Sequence, residues 1–411
     1  MKINKHCFPN GLRLVHYEDT STQMVALNIV YDVGARDEHP EHTGFAHLFE
    51  HLMFGGSAHI PDYDTPLQLA GGENNAWTNN DITNYYLTVP KPNVETAFWL
   101  ESDRMLELAF SEQSLEVQRG VVMEEFKQRC LNQPYGDVGH LFRPLAFRVH
   151  PYRWPTIGKE LSHIEQATLD EVKSFFYRFY APNNAVLAVT GNISWDETVK
   201  LTEKWFAPIP RRDVPVRQLP QEPEQTQERR LTVERNVPLD ALFMGYHMCS
   251  REGADYYAFD FLSDILSNGR SSRLNRRLVQ EQNIFSGIDA YISGTRDAGL
   301  LQISGKPAAG VSLEQAEVAV RKELEELQRS PVDGQELEKV KNKFESTQIF
   351  GNINYLNVAT NLAWFELTGK AEDIDLEVER YRSVTTEQLH TVAQRTFCES
   401  NAVVLYYKSD K

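Results

Sequence analysis

HTGFAHLFEHLMFGGS, residues 42–57, sets two histidines and a glutamate in the order His47, Glu50, His51. Phe45, Leu48, Phe49, Leu52 and Met53 recur at three- and four-residue intervals, which predicts a helix that stops at Gly55-Gly56. Residues four apart lie one helical turn above each other, so His47 and His51 present both imidazoles from one face, able to grip one metal ion. Glu50 projects beside them, where it is able to take the proton from a zinc-bound water whose pKa the ion lowers to roughly 7. The order H-x-x-E-H is the inverse of the zincin H-E-x-x-H and reads as a zinc peptidase site. The competing reading is a solvated helix face. A helix already carrying five apolar residues has little polar face left, so two histidines and a carboxylate within it call for a buried partner.

A catalytic zinc usually has three protein ligands and keeps a fourth position for water, so a third ligand must come from elsewhere. SLEVQRGVVMEEFKQR, residues 114–129, reads as a helix whose apolar side is marked by Leu115, Val122 and Phe126. It offers two adjacent carboxylates. Glu125 follows Val121 and Val122 by four and three residues and leans toward the buried stripe, whereas Glu124 points largely away. Glu125 is therefore the expected third ligand, against the plainer readings of a buried ion-pair partner at Glu125 and a solvated charge at Glu124.

The pair GFAHLFEHLMFGGS and QRGVVMEEF, with GENNAWTNNDITNYY (residues 72–86) between them, resembles the pitrilysin, insulysin and mitochondrial processing peptidase family of inverted-zincin metallopeptidases. The resemblance implies one zinc ion per chain held by His47, His51 and Glu125, with Glu50 as general base. The family carboxylate seven residues before the zinc glutamate is replaced here by Gln118, whose amide is still able to hydrogen-bond around the site. Asn74 to Val89 alternates and reads as a strand near a sheet edge. Related enzymes bind the substrate peptide as an added strand along this segment, which gives Asn75, Ala76 and Trp77 the main-chain pairing and nearby contacts.

The chain has 411 residues, too many for one core. Five prolines (Pro208, Pro210, Pro215, Pro220, Pro223) fall between Phe206 and Leu231 in a segment with neither helical nor strand periodicity, which predicts a linker over 207–230 between domains at 1–206 and 231–411. IEQATLDEVKSFFYRFYAPNNAV from Ile164 aligns without gaps to YRSVTTEQLHTVAQRTFCESNAV from Tyr381, an offset of 217 (381 − 164) that argues for duplication. Thr168 and Thr385 each open a capping box completed by Glu171 and Gln388, and Arg178, Asn184 and Ala185 match Arg395, Asn401 and Ala402. A strand follows in each copy, AVLAVTG or AVVLYY. The expected fold is α+β: two homologous sandwich units, each an antiparallel-rich mixed sheet covered by helices, the second without a metal motif. Its helices, including one opened by Ser312 and ended before Pro331, show ordinary apolar and charged faces.

A net charge of −16 disfavours nucleic acid or an anionic membrane as partner. No apolar run reaches membrane-spanning length, and the start lacks the apolar core of a signal peptide, so a cytoplasmic location is expected. Cys7, Cys130, Cys249 and Cys398 form no C-x-x-C pair and read as reduced thiols.

SNGRSSRLNRRLVQEQNIFSGIDAY, residues 267–291, resembles a family segment in which an arginine and, seven residues on, a tyrosine steady the tetrahedral intermediate. Aligned on Ser271 to Leu274, those positions are Val279 and Ser286, neither of which serves. Related enzymes enclose substrate between two halves, each of two such units, so this chain amounts to half a chamber. The resemblance then implies a heterodimer with a homologous subunit that carries the Arg and Tyr. A homodimer using Tyr291, Arg276 or Arg277 in another geometry is the alternative assembly. Two functions follow: a zinc endopeptidase subunit acting on unfolded peptides or extended segments, or a non-catalytic structural subunit whose site only binds metal.

Overall fold

The computed structural model describes residues 1–410, which form two compact units. The first holds residues 1–131, 154–220 and 348–377; the second holds 132–153, 221–347 and the chain from 378 onward. These units differ from the contiguous blocks 1–206 and 231–411 expected from the proline-rich break. Each takes a helix from the other half of the sequence.

The first unit is built on a six-stranded sheet of β1 (Ile3–Cys7), β2 (Arg13–Glu18), β3 (Met24–Tyr31), β4 (Glu73–Thr78), β5 (Thr83–Pro90) and β6 (Ala185–Gly191), in the order β1-β2-β6-β3-β5-β4. Only β2 and β6 run parallel. Strand β3 reads as a nearly continuous apolar run because both of its faces are covered. Val25, Leu27, Ile29 and Tyr31 point into a core shared with Phe45, Leu48 and Phe49. Ala26 and Val30 face the other way, with Val15, Val186 and Ala188, against Val358, Ala359, Leu362 and Ala363 of helix Tyr355–Thr368.

The second unit repeats the plan with five strands, β7 (Arg229–Arg235), β8 (Ala241–Met248), β9 (Phe285–Ile292), β10 (Gly299–Pro307) and β11 (Ala402–Ser409), ordered β7-β11-β8-β10-β9 with β7 and β11 parallel. One face packs on helices Tyr256–Ser267, Leu313–Arg329 and Thr386–Thr396. The other, through Val403 and Leu405, packs on Phe142 and Ala146 of helix Val138–Ala146. The two exchanged helices begin 217 residues apart (355 − 138), the spacing of the duplicated segments.

The duplication extends to hydrogen bonds. Asn184 Nδ2 donates to the carbonyl of Phe179 and Asn401 Nδ2 to that of Thr396, each five residues back. Thr168 and Glu171 form a reciprocal capping box, but Thr385 only accepts from the Gln388 amide N–H, because the Gln388 side chain turns to Asp255. Ser312 caps its helix as expected, with Gln315 closing the box.

One local expectation needs correction. The stretch from Asn74 to Val89 is not one strand but the hairpin β4–β5, with β4 at the sheet edge. Residues 207–226 hold no helix or strand, and they are fastened along their length. Arg212 donates to the carbonyls of Tyr180 and Leu106, Arg217 is clamped by Asp32 and Asp37, and Glu222 accepts backbone N–H groups of Arg148, Val149 and His150. Among the described residues, no helix is long and apolar enough to cross a membrane.

Candidate metal centre

The motif helix spans Phe45–Leu52, with Phe45, Leu48, Phe49 and Leu52 buried. Its start is fixed by Gly44, whose φ of 88° lies in the left-handed region where a side chain is disfavoured. A Cβ there would also stand 2.9 Å from the Ile157 carbonyl. Buried Glu38 accepts hydrogen bonds from the Gly44 and Ala46 amides at 2.9 Å each, satisfying two first-turn donors that have no helical partner. Burial pushes the Glu38 carboxyl up to about 8, while those two donors pull it down. At the far end, the Tyr85 hydroxyl on β5 donates to the carbonyl of Phe49 at 3.1 Å.

Glu125 arrives on helix Glu112–Phe126, which is continued by a π-helical turn, Lys127–Leu131. The inner side of this helix is set by Leu115, Val122 and Phe126, which are buried; Val121 is 46% exposed and does not belong to it. Glu125 still turns inward, because it stands three residues after Val122 and next to Phe126. Glu124 is exposed, as its helical phase requires. The Glu125 carboxylate meets both histidines, Oε1 lying 3.6 Å from His47 Nε2 and Oε2 3.4 Å from His51 Nε2. One ligand atom from each of His47, His51 and Glu125 falls within 4.8 Å of the others. Two imidazole nitrogens and a carboxylate oxygen that converge so closely are the donor set of a zinc site with a fourth position open. The residues fit the metal.

The electrostatics agree with that role. Burial lowers the His47 pKa to about 4, so its ring is neutral at pH 7, the state a ligand needs. The hydrogen bond with His51 is the largest influence on Glu125 and holds its carboxyl below the usual range. Burial pushes the Glu50 carboxyl up, against the opposing pull of the Thr78 hydroxyl and His51. Glu50 is thus a half-buried carboxylate beside the cluster, with its proton affinity raised.

Asn75, Ala76 and Trp77 lie on edge strand β4, opposite Tyr86, Tyr85 and Asn84 of β5. Ala76 packs on the core under the motif helix, whereas Trp77 packs on the opposite face of the sheet. Gln118 lies two turns before Glu125, its Cγ 3.6 Å from the position a Gly55 Cβ would take. In the second unit, Val279 packs on the core and Ser286 hydrogen-bonds the Lys306 carbonyl. Arg277 is bound to Glu323 and Glu326, Arg276 faces Glu281 at 3.6 Å, and Tyr291 stands 48% exposed on β9.

Glu38, Tyr85 and Arg129 form part of the site's support and were not singled out in the sequence. Arg129 Nη1 lies 2.7 Å from Glu125 Oε1. Its signal is weak, one cation four residues beyond a carboxylate, and Tyr85 has none, since only the strand pairing brings it under the helix.

Comparison with known proteins agrees with this geometry. Residues 13–137 match the family model described as Insulinase (Peptidase family M16), and residues 166–344 match the Peptidase M16 inactive domain. The chain is 27% identical over 407 residues to a zinc protease, PqqE, of Helicobacter pylori, covering 97% of this chain and 91% of that one. The crystal structure of a protease from Helicobacter pylori superposes with a TM-score of 0.94 at 26% identity, covering 99% of each chain. The periplasmic protease PqqL of Escherichia coli shares the fold at 18% identity and a TM-score of 0.81, with 99% of this chain covering 47% of that one. With the inverted metal motif, the two homologous units and these matches together, the chain belongs to the insulinase (M16) peptidase family.

Proposed function

We propose that this chain is the zinc-binding subunit of an endopeptidase that hydrolyses unfolded peptides or extended segments of proteins. The convergence of His47, His51 and Glu125 within 4.8 Å, beside Glu50, is the observation that carries this reading. One zinc ion per chain, when bound, polarises the scissile carbonyl and lowers the pKa of water to roughly 7. Nε2 of both histidines and the Glu125 carboxylate hold it. Glu50 takes the proton of the attacking water and returns it to the leaving amine, a shuttle that a burial-raised carboxyl performs better than an ordinary one.

Edge strand β4 has no strand on its outer side, where the Asn75 side chain holds the Ala76 amide at 2.8 Å, so the peptide adds there as a further strand, with Asn75, Ala76 and Trp77 as its contacts. Gln118 supports the site from two turns upstream of Glu125. Donors to the developing oxyanion are then the missing part, since loss of one typically costs about 10²–10³ in rate. Val279 and Ser286 do not provide them, and Arg277 is committed to two glutamates. A homologous partner subunit that carries an Arg and a Tyr completes the site as a heterodimer. A homodimer would have to rely on Tyr291 or Arg276.

The test is to purify the chain alone and with the homologous protein, measure bound zinc, and assay a quenched peptide library. Cleavage that appears in the mixture and vanishes in Glu50→Gln with zinc retained supports the proposal. Full activity of the chain alone removes the need for a partner. Zinc binding without cleavage in any combination makes the chain a structural subunit, and normal zinc binding by Glu125→Ala removes Glu125 from the ligand set.

A further inference from the structure

The two oxygens of Glu125 keep different company. Oε1 receives Arg129 Nη1 at 2.7 Å, while Oε2 faces His51 Nε2 at 3.4 Å. His47 Nε2 stands 3.6 Å from Oε1, farther than the guanidinium. Within the carboxylate, then, each oxygen faces one histidine, and the one nearer His47 is already engaged by a cation.

Backbone shape sets this up. In a regular α-helix residue i+4 is rotated about 40° past residue i. Residues four apart are still neighbours on one helix face, and Arg129 lies in the π-helical turn Lys127–Leu131 that continues the helix of Glu125. Such turns are rare and recur at functional sites. Arg129 is 68% exposed, whereas the Glu125 side chain is only 19% exposed, so the arginine reaches into the site from its solvent side. An exposed ion pair of this spacing adds little to fold stability, which leaves its place at a metal ligand to be explained.

Glutamate ligates a metal through one oxygen or through both. In a site of two histidines and one glutamate, two-oxygen binding would add a further donor and crowd the position that water and the substrate carbonyl need. We propose that Arg129 is a positioning residue that keeps Glu125 a one-oxygen ligand: it occupies Oε1, leaves Oε2 to the metal and so preserves the open coordination position. The proposal rests on the zinc-peptidase reading and adds to it a residue that sets coordination number. Outer partners of ligating groups commonly govern metal affinity or activity by 10–100-fold, so an effect of about that size is expected.

The experiment uses the full chain loaded with cobalt(II) as a spectroscopic substitute, and with zinc(II) for affinity, in the parent, Arg129→Ala and Arg129→Lys. In Arg129→Ala the visible cobalt absorption weakens, as a four-coordinate site becomes five-coordinate. Zinc affinity, read by competition with a chromophoric chelator, stays level or tightens, and in the active assembly kcat falls about 10- to 100-fold at little-changed KM. Arg129→Lys keeps a cation within reach and recovers part of the absorption. Circular dichroism checks the fold of each variant. A cobalt spectrum in Arg129→Ala identical to the parent's overturns the proposal, as does a weakened zinc affinity with an unchanged spectrum. A parent chain that takes up neither metal overturns this role together with the zinc-peptidase reading, whereas a metal-loaded parent with an unresponsive Arg129→Ala overturns the Arg129 role alone.

Discussion

The Tyr85 hydroxyl holds the carbonyl of Phe49 at 3.1 Å, so strand β5 is tied to the motif helix one residue before Glu50. Both side chains are fully buried, and the bond cannot be replaced by water. Tyr85→Phe removes the hydroxyl without altering the ring's packing. The expected loss is about 0.5–1.5 kcal/mol of stability, read from the urea midpoint at constant m-value.

Glu38 is the second tie. Glu38→Ala leaves the Gly44 and Ala46 amides without their acceptor at the head of the same helix, and the expected cost is about 1–3 kcal/mol per stranded group. Because His47 follows Ala46 directly, zinc affinity weakens with stability, whereas Tyr85→Phe lowers stability with less effect on the metal. Chelator competition on both variants separates the two outcomes.

Gly44→Ala tests the turn that launches the helix. Its φ of 88° disfavours any Cβ, and the added methyl would lie 2.7 Å from Ile164 Cδ1 and 2.9 Å from the Ile157 carbonyl. A loss of roughly 1–3 kcal/mol is expected from the backbone conformation alone, measured by thermal or urea unfolding.

Acid sensitivity has a source in the second unit. Burial pushes the Glu317 carboxyl up, but hydrogen bonds from Arg230, Tyr406 and Arg321 outweigh it and bring it down to about 2. A carboxylate whose pKa is lowered on folding contributes stability that is complete above its unfolded value of about 4.5 and is lost as pH falls from there toward about 2. Glu317→Gln is therefore less stable than the parent at pH 7, and the gap narrows between pH 4.5 and 2. Urea midpoints across that window check it; a gap that stays constant refutes the assignment.

How much of this was legible in the sequence depended on how local the cause was. His47, Glu50 and His51 announce themselves because one helix carries them at a spacing that only a shared face explains. Glu125 followed from helical phase, although Val121 did not mark the buried side: its neighbour Val122 alone does so. The hairpin at 73–90 was hidden because Asn79 to Ile82 supplies a turn without a break in polarity; the Asn79 side chain accepts from the Asp81 and Ile82 amides and stands in for the glycine one would look for. Glu38, Tyr85 and Arg129 escaped notice for a different reason. Each acts through a partner that strand register, helix entry or a π-helical turn brings near, and none of these is written in hydrophobic periodicity.

The exchanged helices set a condition on how this chain came to be. Val138–Ala146 completes the sheet of the later repeat and Tyr355–Thr368 that of the earlier one, at equivalent places in the duplicated sequence. A single-repeat ancestor with this fold would have left one sheet face bare, unless a second molecule lent its helix and took one in return. Severing the modern chain at its prolines would ask both fragments to find each other again before either is whole.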